Sequence, residues 1–254
     1  MDSDDLPRGL ILSRRDALKA LGVSGAALLA ACAPVQSDLP QPAIGEQDPT
    51  LPAERTSELP TCVVRPELAE GPYYVDAAFN RSDIRSDPGT GLVKEGVLLN
   101  LTFKVMQVMD GSCVPLQGSK VEVWHCDALG VYSGVSDPGF DTTSRKFLRG
   151  YQVTDANGQA FFTTIYPGWY PGRTVHVHFK VQHDAPEKSS IFTSQLFFDE
   201  AVSDRVFALP PYSSRGQREI TNSTDRIFDS QLLMNVAPAN DGYAGSFDLG
   251  MQLD

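Results

Sequence analysis

Apolar and polar residues alternate strictly along one segment near the middle of the chain. Leu99, Leu101, Phe103 and Val105 alternate with Asn100, Thr102 and Lys104, the period-two pattern of a half-buried strand. The same reading predicts strands over Val97–Met109, Lys120–His125, Gln159–Ile165, Thr174–Val181, Ile191–Phe198 and Ser246–Leu253. Asp110-Gly111, Asp137-Pro138, Asn157-Gly158 and Pro167-Gly168 punctuate these strands as turns. There is no long amphipathic pattern, and Glu200–Ala208 reads as one short helix. Many short strands without an internal repeat predict an all-β fold, a sandwich or a barrel, and the expected form is a β-sandwich of mixed and antiparallel strands with long loops and few short helices.

The pattern differs at the N-terminus. Ser13-Arg14-Arg15-Asp16-Ala17-Leu18-Lys19 precedes an uncharged run from Ala20 to Ala33. That run is shorter than the roughly 20 residues that span a bilayer, and a basic stretch before a short apolar one is the layout of an export signal. The paired arginines resemble a twin-arginine signal, with Ala17 where an aromatic is usual. Leu29-Ala30-Ala31-Cys32 resembles a bacterial lipobox, which implies lipidation of Cys32; an ordinary cleavage site with an incidental cysteine is the alternative. Residues 33–60 carry six Pro and no apolar period, and read as an extended tether. The expected organisation is an export signal over 1–31, a tether over 32–61 and one β domain over 62–254. The expected location is periplasmic or at the cell surface, with the membrane touched only through the lipid.

Composition narrows the function. Of 254 residues 41% are hydrophobic, too many for a disordered chain and enough for a sizeable core. A net charge of −11 argues against nucleic acid, which needs clustered Lys and Arg. Removing residues 1–31 deletes four basic residues (Arg8, Arg14, Arg15, Lys19) and four acidic ones (Asp2, Asp4, Asp5, Asp16), so the charge of the remainder is the same. Of four Cys, Cys32 belongs to the leader, leaving Cys62, Cys113 and Cys126. Cys113 and Cys126 flank an extended strand that rises about 3.3 Å per residue, too far for a bond between them. A bond from Cys62 to either one, or three reduced thiols, is compatible with the sequence.

Candidate chemistry gathers in one stretch. His176-Val177-His178 places two imidazoles on one face of a strand, while Val175, Val177, Phe179 and Val181 turn to the core. Six residues before His176, Tyr170 stands among Pro167, Gly168, Pro171 and Gly172 and could fold back over that face. Imidazole and phenolate oxygen together favour iron over a thiolate metal. His125 reads as a hydrogen-bonded neighbour, His183 as a solvated loop residue, and Trp124 as packing.

These residues resemble the intradiol ring-cleavage dioxygenases, non-haem ferric enzymes that split catechols. The resemblance covers residues 62–254. It rests on Glu70-Gly71-Pro72-Tyr73-Tyr74, on Val121–Ala128 followed by Gly130-Val131-Tyr132-Ser133, on Pro167-Gly168-Trp169-Tyr170-Pro171, on His176-Val177-His178-Phe179, and on Thr193–Phe198. It implies Tyr132, Tyr170, His176 and His178 as ligands of Fe(III), Tyr170 and His178 axial. Tyr170 would be displaced by substrate and take its proton. Arg173 matches the family's site arginine, which would stabilise negative charge developing on the ring, and Gln195 matches its site glutamine. Gly71, Pro72, Tyr73 and Trp169 would border the substrate. The implied reaction opens a catechol with O2 between its hydroxyl-bearing carbons, giving a muconate-type diacid. Gly172 stands where protocatechuate enzymes carry Trp, and the Tyr170–His176 interval is shorter than in the best-known members, which bears on substrate more than on metal. The chain carries all four ligand positions, so one subunit type suffices, alone or as a homo-oligomer. Two readings compete. Val153–Phe161 also resembles the Asp-x-x-Gly turn of transthyretin-like modules, which bind partners without catalysis. The same ligands could hold copper, although two phenolates favour iron.

Overall fold

The computed structural model describes residues 63–253 apart from 77, 78, 110, 111 and 187. The export signal with Cys32, the tether, Cys62 and the Asp110-Gly111 turn lie outside the described residues. Among the described residues, fourteen short stretches of regular structure begin with β1 (Leu98–Met109), β2 (Ser112–Pro115), β3 (Lys120–Trp124), β4 (Ser136–Asp137) and β5 (Phe140–Asp141). They continue with β6 (Arg149–Val153), β7 (Gln159–Ile165), β8 (His176–Asp184), β9 (Ser189–Phe197), helix α1 (Glu200–Phe207), two short 3-10 turns, β10 (Asn235–Ala239) and β11 (Gly242–Met251).

The strands form an all-β sandwich. In the first sheet β1 pairs in parallel with β11 along one edge and antiparallel with β7 and then β2 along the other; β10 completes it beyond β11. The second sheet is antiparallel in the order β6-β3-β8-β9. Leu99, Leu101, Phe103 and Val105 are all within 1% of full burial, so the alternation in β1 points its apolar face inward as its period requires. Val121, Val123, Val177, Phe179 and Val181 face them from the second sheet. Phe103 lies in the middle, with Phe179 of the opposite sheet at 5.3 Å and Phe162 and Phe247 of its own at 6.0 and 6.4 Å between centroids.

Helix α1 follows from a local signal. Asp199 caps it by accepting from the backbone N–H groups of Ala201 and Val202, with Glu200 in the first turn and Arg205 in the last, which suits the helix dipole. The short strands β2, β6 and β10 escape the sequence pattern. Arg149-Gly150-Tyr151-Gln152-Val153 has no clean alternation, yet it pairs with β3 residue for residue. His183 is part of β8, not of a loop, and its Nδ1 shares a hydrogen bond of 2.9 Å with the Ser119 hydroxyl; the ladder with β9 extends to Asp184 and carries it along. Cys113 is disulfide-bonded and Cys126 is a free, buried thiol.

Candidate metal centre

The outer face of the second sheet would ordinarily meet water. Here loops cover it, and the strand register lays out what lies beneath. Opposite one another across four strands stand Arg149 of β6, Trp124 of β3, His178 of β8 and Gln195 of β9. His176 sits one step along β8, opposite Phe197. Both histidines are buried, at 2% and 1% exposure, so the His-x-His face is an interior one.

The two imidazoles meet edge to face at 4.6 Å between centroids, with their Nε2 atoms 3.0 Å apart. His176 Nδ1 lies 2.7 Å from the Thr174 carbonyl oxygen. That oxygen only accepts, so Nδ1 carries the proton and Nε2 is left with a free lone pair. His178 lies flat on Trp124, 5.2 Å away at an interplanar angle of 8°. Burial, with Arg173 nearby, pushes the His176 pKa down to about 3; burial and His176 push His178 down as well. Both rings are therefore neutral, the form that binds metals.

Two loops bring the tyrosines over this pair. Tyr170 Oη is 3.4 Å from His176 Nε2, and the Tyr132 ring is 5.6 Å from that of Tyr170 and 6.2 Å from that of His178. Each tyrosine stands two residues after a glycine, and those glycines let the loops nest. Gly168 donates its N–H to the Asp127 carbonyl at 3.1 Å. A Cβ at Gly168 would fall 2.5 and 2.6 Å from the carbonyl oxygens of Asp127 and Ala128. Gly130 has φ +79°, and a Cβ there would strike the Trp169 carbonyl oxygen. Gly130→Ala therefore combines left-handed backbone strain with a backbone clash. We expect it to cost roughly 2–4 kcal/mol of folding stability, in the range of the larger single-site effects, measured as the shift in urea midpoint.

Arg173 and Gln195 lie beside the four rings and hold each other: Arg173 Nη2 donates to Gln195 Oε1 at 2.6 Å, and Gln195 Nε2 to the Ala69 carbonyl at 3.3 Å. Tyr73 stacks on Tyr132 at 4.6 Å and 23° and meets Tyr170 edge-on at 5.7 Å. Its hydroxyl donates to Asp137 at 2.7 Å. Gly71, with φ +75°, and the exposed Pro72 make the turn that delivers Tyr73 to this position. Tyr74 packs edge-on against Trp124. Trp169 points the other way, into the sandwich core, with the Arg215 guanidinium 4.4 Å from its ring centroid. His125 is fully buried between the Cys126 carbonyl and the Thr164 hydroxyl, each at 2.7 Å, and faces no ligand.

One residue the sequence reading passed over is central. Asp225, in an irregular loop, accepts at Oδ2 from Arg173 Nε at 2.9 Å and from the Thr174 N–H at 2.8 Å. Its Oδ1 accepts from the Ile227 N–H at 2.9 Å. Burial pushes this carboxyl up, but Arg173 and the two backbone donors outweigh it and hold it below the usual range. Thr174 therefore binds Asp225 through its N–H and His176 through its carbonyl. One aspartate among many has no local signature that could have singled it out.

The matches to known proteins fit this geometry. The Dioxygenase_C (dioxygenase) family matches residues 69–235. The intradiol ring-cleavage dioxygenase of Tetranychus urticae is 33% identical in a superposition covering 75% of this chain and 95% of its own, with a TM-score of 0.66. The chain belongs to the intradiol ring-cleavage dioxygenase family. The dioxygenase domain of a dioxygenase–carbohydrate-binding fusion protein from Streptomyces sp. SirexAA-E is 30% identical over 76% of this chain and 100% of that domain, with a TM-score of 0.53. Catechol 1,2-dioxygenase of Acinetobacter baylyi is 29% identical over 147 residues, 48% of this chain and 43% of its own. The chain spans about half the length of the curated catechol dioxygenases at the top of that comparison. The matched region contains both tyrosine loops, the His-x-His strand, Arg173 and Asp225.

As an intradiol-family site, the cluster also meets the requirements of a metal. With metal–nitrogen bonds of about 2.1 Å, two adjacent donors stand roughly 3 Å apart, as the two Nε2 atoms do. Tyr132 Oη is buried without a hydrogen-bond partner among the described residues. An unpaired phenol oxygen in a closed site costs about 1–3 kcal/mol, which coordination would offset. Burial, then Tyr170, pushes the Tyr132 phenol well above its ordinary pKa, so only a cation would draw off its proton at neutral pH. Cys126 is close, but burial raises its thiol pKa and keeps it protonated, which leaves two oxygen and two imidazole donors. No group of three or more His, Cys, Asp or Glu among the described residues offers another metal site.

Proposed function

We propose that this protein is a non-haem Fe(III) dioxygenase that cleaves a catechol with O2 between its two hydroxyl-bearing carbons, giving a muconate-type diacid. The observation that carries this reading is the convergence of Tyr132, Tyr170, His176 and His178 on one buried point. These four residues would hold the iron. Bound iron supplies a Lewis acid that chelates the catecholate and opens its ring to O2.

The chain's own residues divide the remaining work. Tyr132, His176 and His178 are 1%, 2% and 1% exposed, whereas Tyr170 is partly exposed in an irregular loop next to the exposed Pro171 and Gly172. Tyr170 is thus the donor that can swing away, and its Oη takes a proton from the entering catechol. Arg173, fixed by Asp225 and Gln195, presents a permanent positive charge where the opening ring becomes negative. Tyr73 closes the site on the Tyr132 side and limits entry of water. No substituent can stand where Tyr73 stacks on Tyr132, whereas Gly172, with no atom within 4 Å of a Cβ placed on it, leaves the Tyr170 side open.

Protein produced in iron-replete cells should be red-brown from tyrosinate-to-iron charge transfer, with one iron per chain. It should consume one O2 per catechol, the product being identified by mass. Screening catechol, protocatechuate, hydroxyquinol and alkylated or chlorinated catechols identifies the substrate. A colourless, iron-free protein from such cells overturns the reading. Tyr170→Phe is expected to shift or bleach the visible band while iron is retained, and to lower kcat by about 10²–10³, the range for loss of a proton-transfer group. Stopped-flow absorbance checks this.

A further inference from the structure

Arg149 is a charged residue sealed inside the protein, at 1% exposure, and no carboxylate among the described residues is bonded to it. Its Nε and Nη2 donate to the Ser133 carbonyl at 2.9 and 2.6 Å. Nε also reaches the Ser133 hydroxyl at 3.1 Å, and Nη2 the Tyr73 carbonyl at 2.7 Å. The Ser133 hydroxyl donates in turn to the Phe147 carbonyl at 2.5 Å. Nη1 is buried with no hydrogen-bond partner among the described residues. Burial lowers the Arg149 pKa to about 10, so the side chain is still a cation at neutral pH.

Burying a cation on carbonyl and hydroxyl oxygens, with one amino group unmatched, is an expensive way to fill space. The backbone is strained to do it. Leu148, a bulky residue, adopts φ +55°, a conformation that branched and bulky side chains avoid. Its N–H and carbonyl are tied to the Ile84 carbonyl and the His125 N–H at 2.7 and 3.3 Å, so the strain is held in place from both sides. What Arg149 holds is specific. Ser133 follows Tyr132, and Tyr73 is the ring stacked on Tyr132. The guanidinium itself lies 6.0 Å from the Tyr132 ring centroid. Arg149 also shares its cross-strand row with Trp124 and His178, so its height above the sheet is set by the same ladder that sets the histidine.

We propose that Arg149 is a positioning residue for Tyr132. Its fork pins the carbonyls of residues 73 and 133 so that the stacked pair of rings holds the Tyr132 oxygen toward the two imidazoles. An oxygen donor from a loop and nitrogen donors from a strand are thereby brought together. The inference rests on Tyr132 as an iron ligand, but it makes its own demands. A residue that only filled space could be replaced by Met, which matches its length; a carbonyl fork could not.

The test compares wild type, Arg149→Met and Arg149→Lys in three measurements. The first is near-ultraviolet circular dichroism of the metal-free proteins, which reports the Tyr73–Tyr132 stack, with the far-ultraviolet spectrum as a check on the fold. The second is iron affinity by competition with a chelator. The third is the tyrosinate-to-iron band. For Arg149→Met we expect an unchanged far-ultraviolet spectrum, a weakened near-ultraviolet signal, a displaced visible band, and iron affinity lower by about 10- to 100-fold, as when groups that orient a ligand are lost. Arg149→Lys, which keeps a donor but not the fork, should fall between. If Arg149→Met does not fold, Arg149→Lys is read by the same three measurements. A folded variant with wild-type affinity, band and near-ultraviolet signal overturns the proposal and leaves the iron reading intact. A wild-type protein that binds no iron overturns the iron reading, and this proposal with it.

Discussion

His178→Ala is expected to abolish iron binding and turnover together, if the proposed ligand set holds the iron. The imidazole is 1% exposed, with its Nε2 3.0 Å from that of His176 and its ring flat on Trp124. Water cannot replace it in the same position, because the Trp124 face is apolar and a water there lacks polar partners. The variant should retain little of the one iron per chain expected of wild type, measured by metal analysis. Its kcat should fall at least ~10³-fold, equivalent to about 4 kcal/mol in the barrier. A stability measurement separates loss of metal from loss of fold. A ligand at a thousand times its Kd adds about 4 kcal/mol to folding stability, so iron should raise the wild-type unfolding midpoint. His178→Ala should match metal-free wild type to within the cost of a small cavity and show no response to iron. Full iron occupancy in His178→Ala would remove His178 from the ligand set.

Asp225→Ala should affect both stability and catalysis, because one carboxylate holds two parts of the site. Removing it leaves the Arg173 guanidinium, which is 8% exposed, without its counter-ion, and breaking a buried pair costs about 3–5 kcal/mol. It also frees the Thr174 N–H, and the carbonyl of the same residue orients His176. We expect kcat to fall about 10²-fold, comparable to loss of a preorganised electrostatic contact, with a smaller change in KM. Asp225→Asn, which keeps the acceptor oxygen but not the charge, should recover part of the stability. The acid limb distinguishes the charge from the shape. The folded carboxylate lies below its ordinary pKa. Its contribution is therefore complete above the unfolded-chain value of about 4 and disappears as pH falls below it. Wild type should lose this increment on acidification, and Asp225→Asn should lack it at every pH. Equal acid dependence in the two proteins would show that the pair contributes no net charge stabilisation.

Much of the fold was legible because strand formation leaves a local trace. The alternation at Leu99–Val105 needed only the period of a pleated strand, and Gln159–Ile165 was bounded by its turns. The short helix was read at Glu200–Ala208 and lies at Glu200–Phe207, where Asp199 caps it. Strand ends were less so: β8 starts at His176 rather than Thr174, because Thr174 is held by Asp225 and Asn222 instead of by a neighbouring strand. The strand β6 was not readable, since Arg149 and Gly150 are poor strand residues whose place is decided by pairing with β3.

The candidate site divides in the same way. The two histidines share a face because residues i and i+2 of a strand always do, and the resemblance named the two tyrosines from motifs that are local in the chain. The sequence by itself determined an all-β chain with a His-x-His strand and two Gly-x-Tyr loops. Only the tertiary structure decided that both faces of β8 are buried, and that Gly130 and Gly168 let the two loops lie backbone against backbone. It alone showed that Trp169 turns into the core while Trp124 lies under His178. It also placed Asp225 against Arg173 and Thr174, and Arg149 against the carbonyls of Ser133 and Tyr73, contacts between segments far apart along the chain. The physical reason is one of range. Strand period and turn chemistry act over a few residues, whereas the donors converge by packing and hydrogen bonds between segments tens of residues apart.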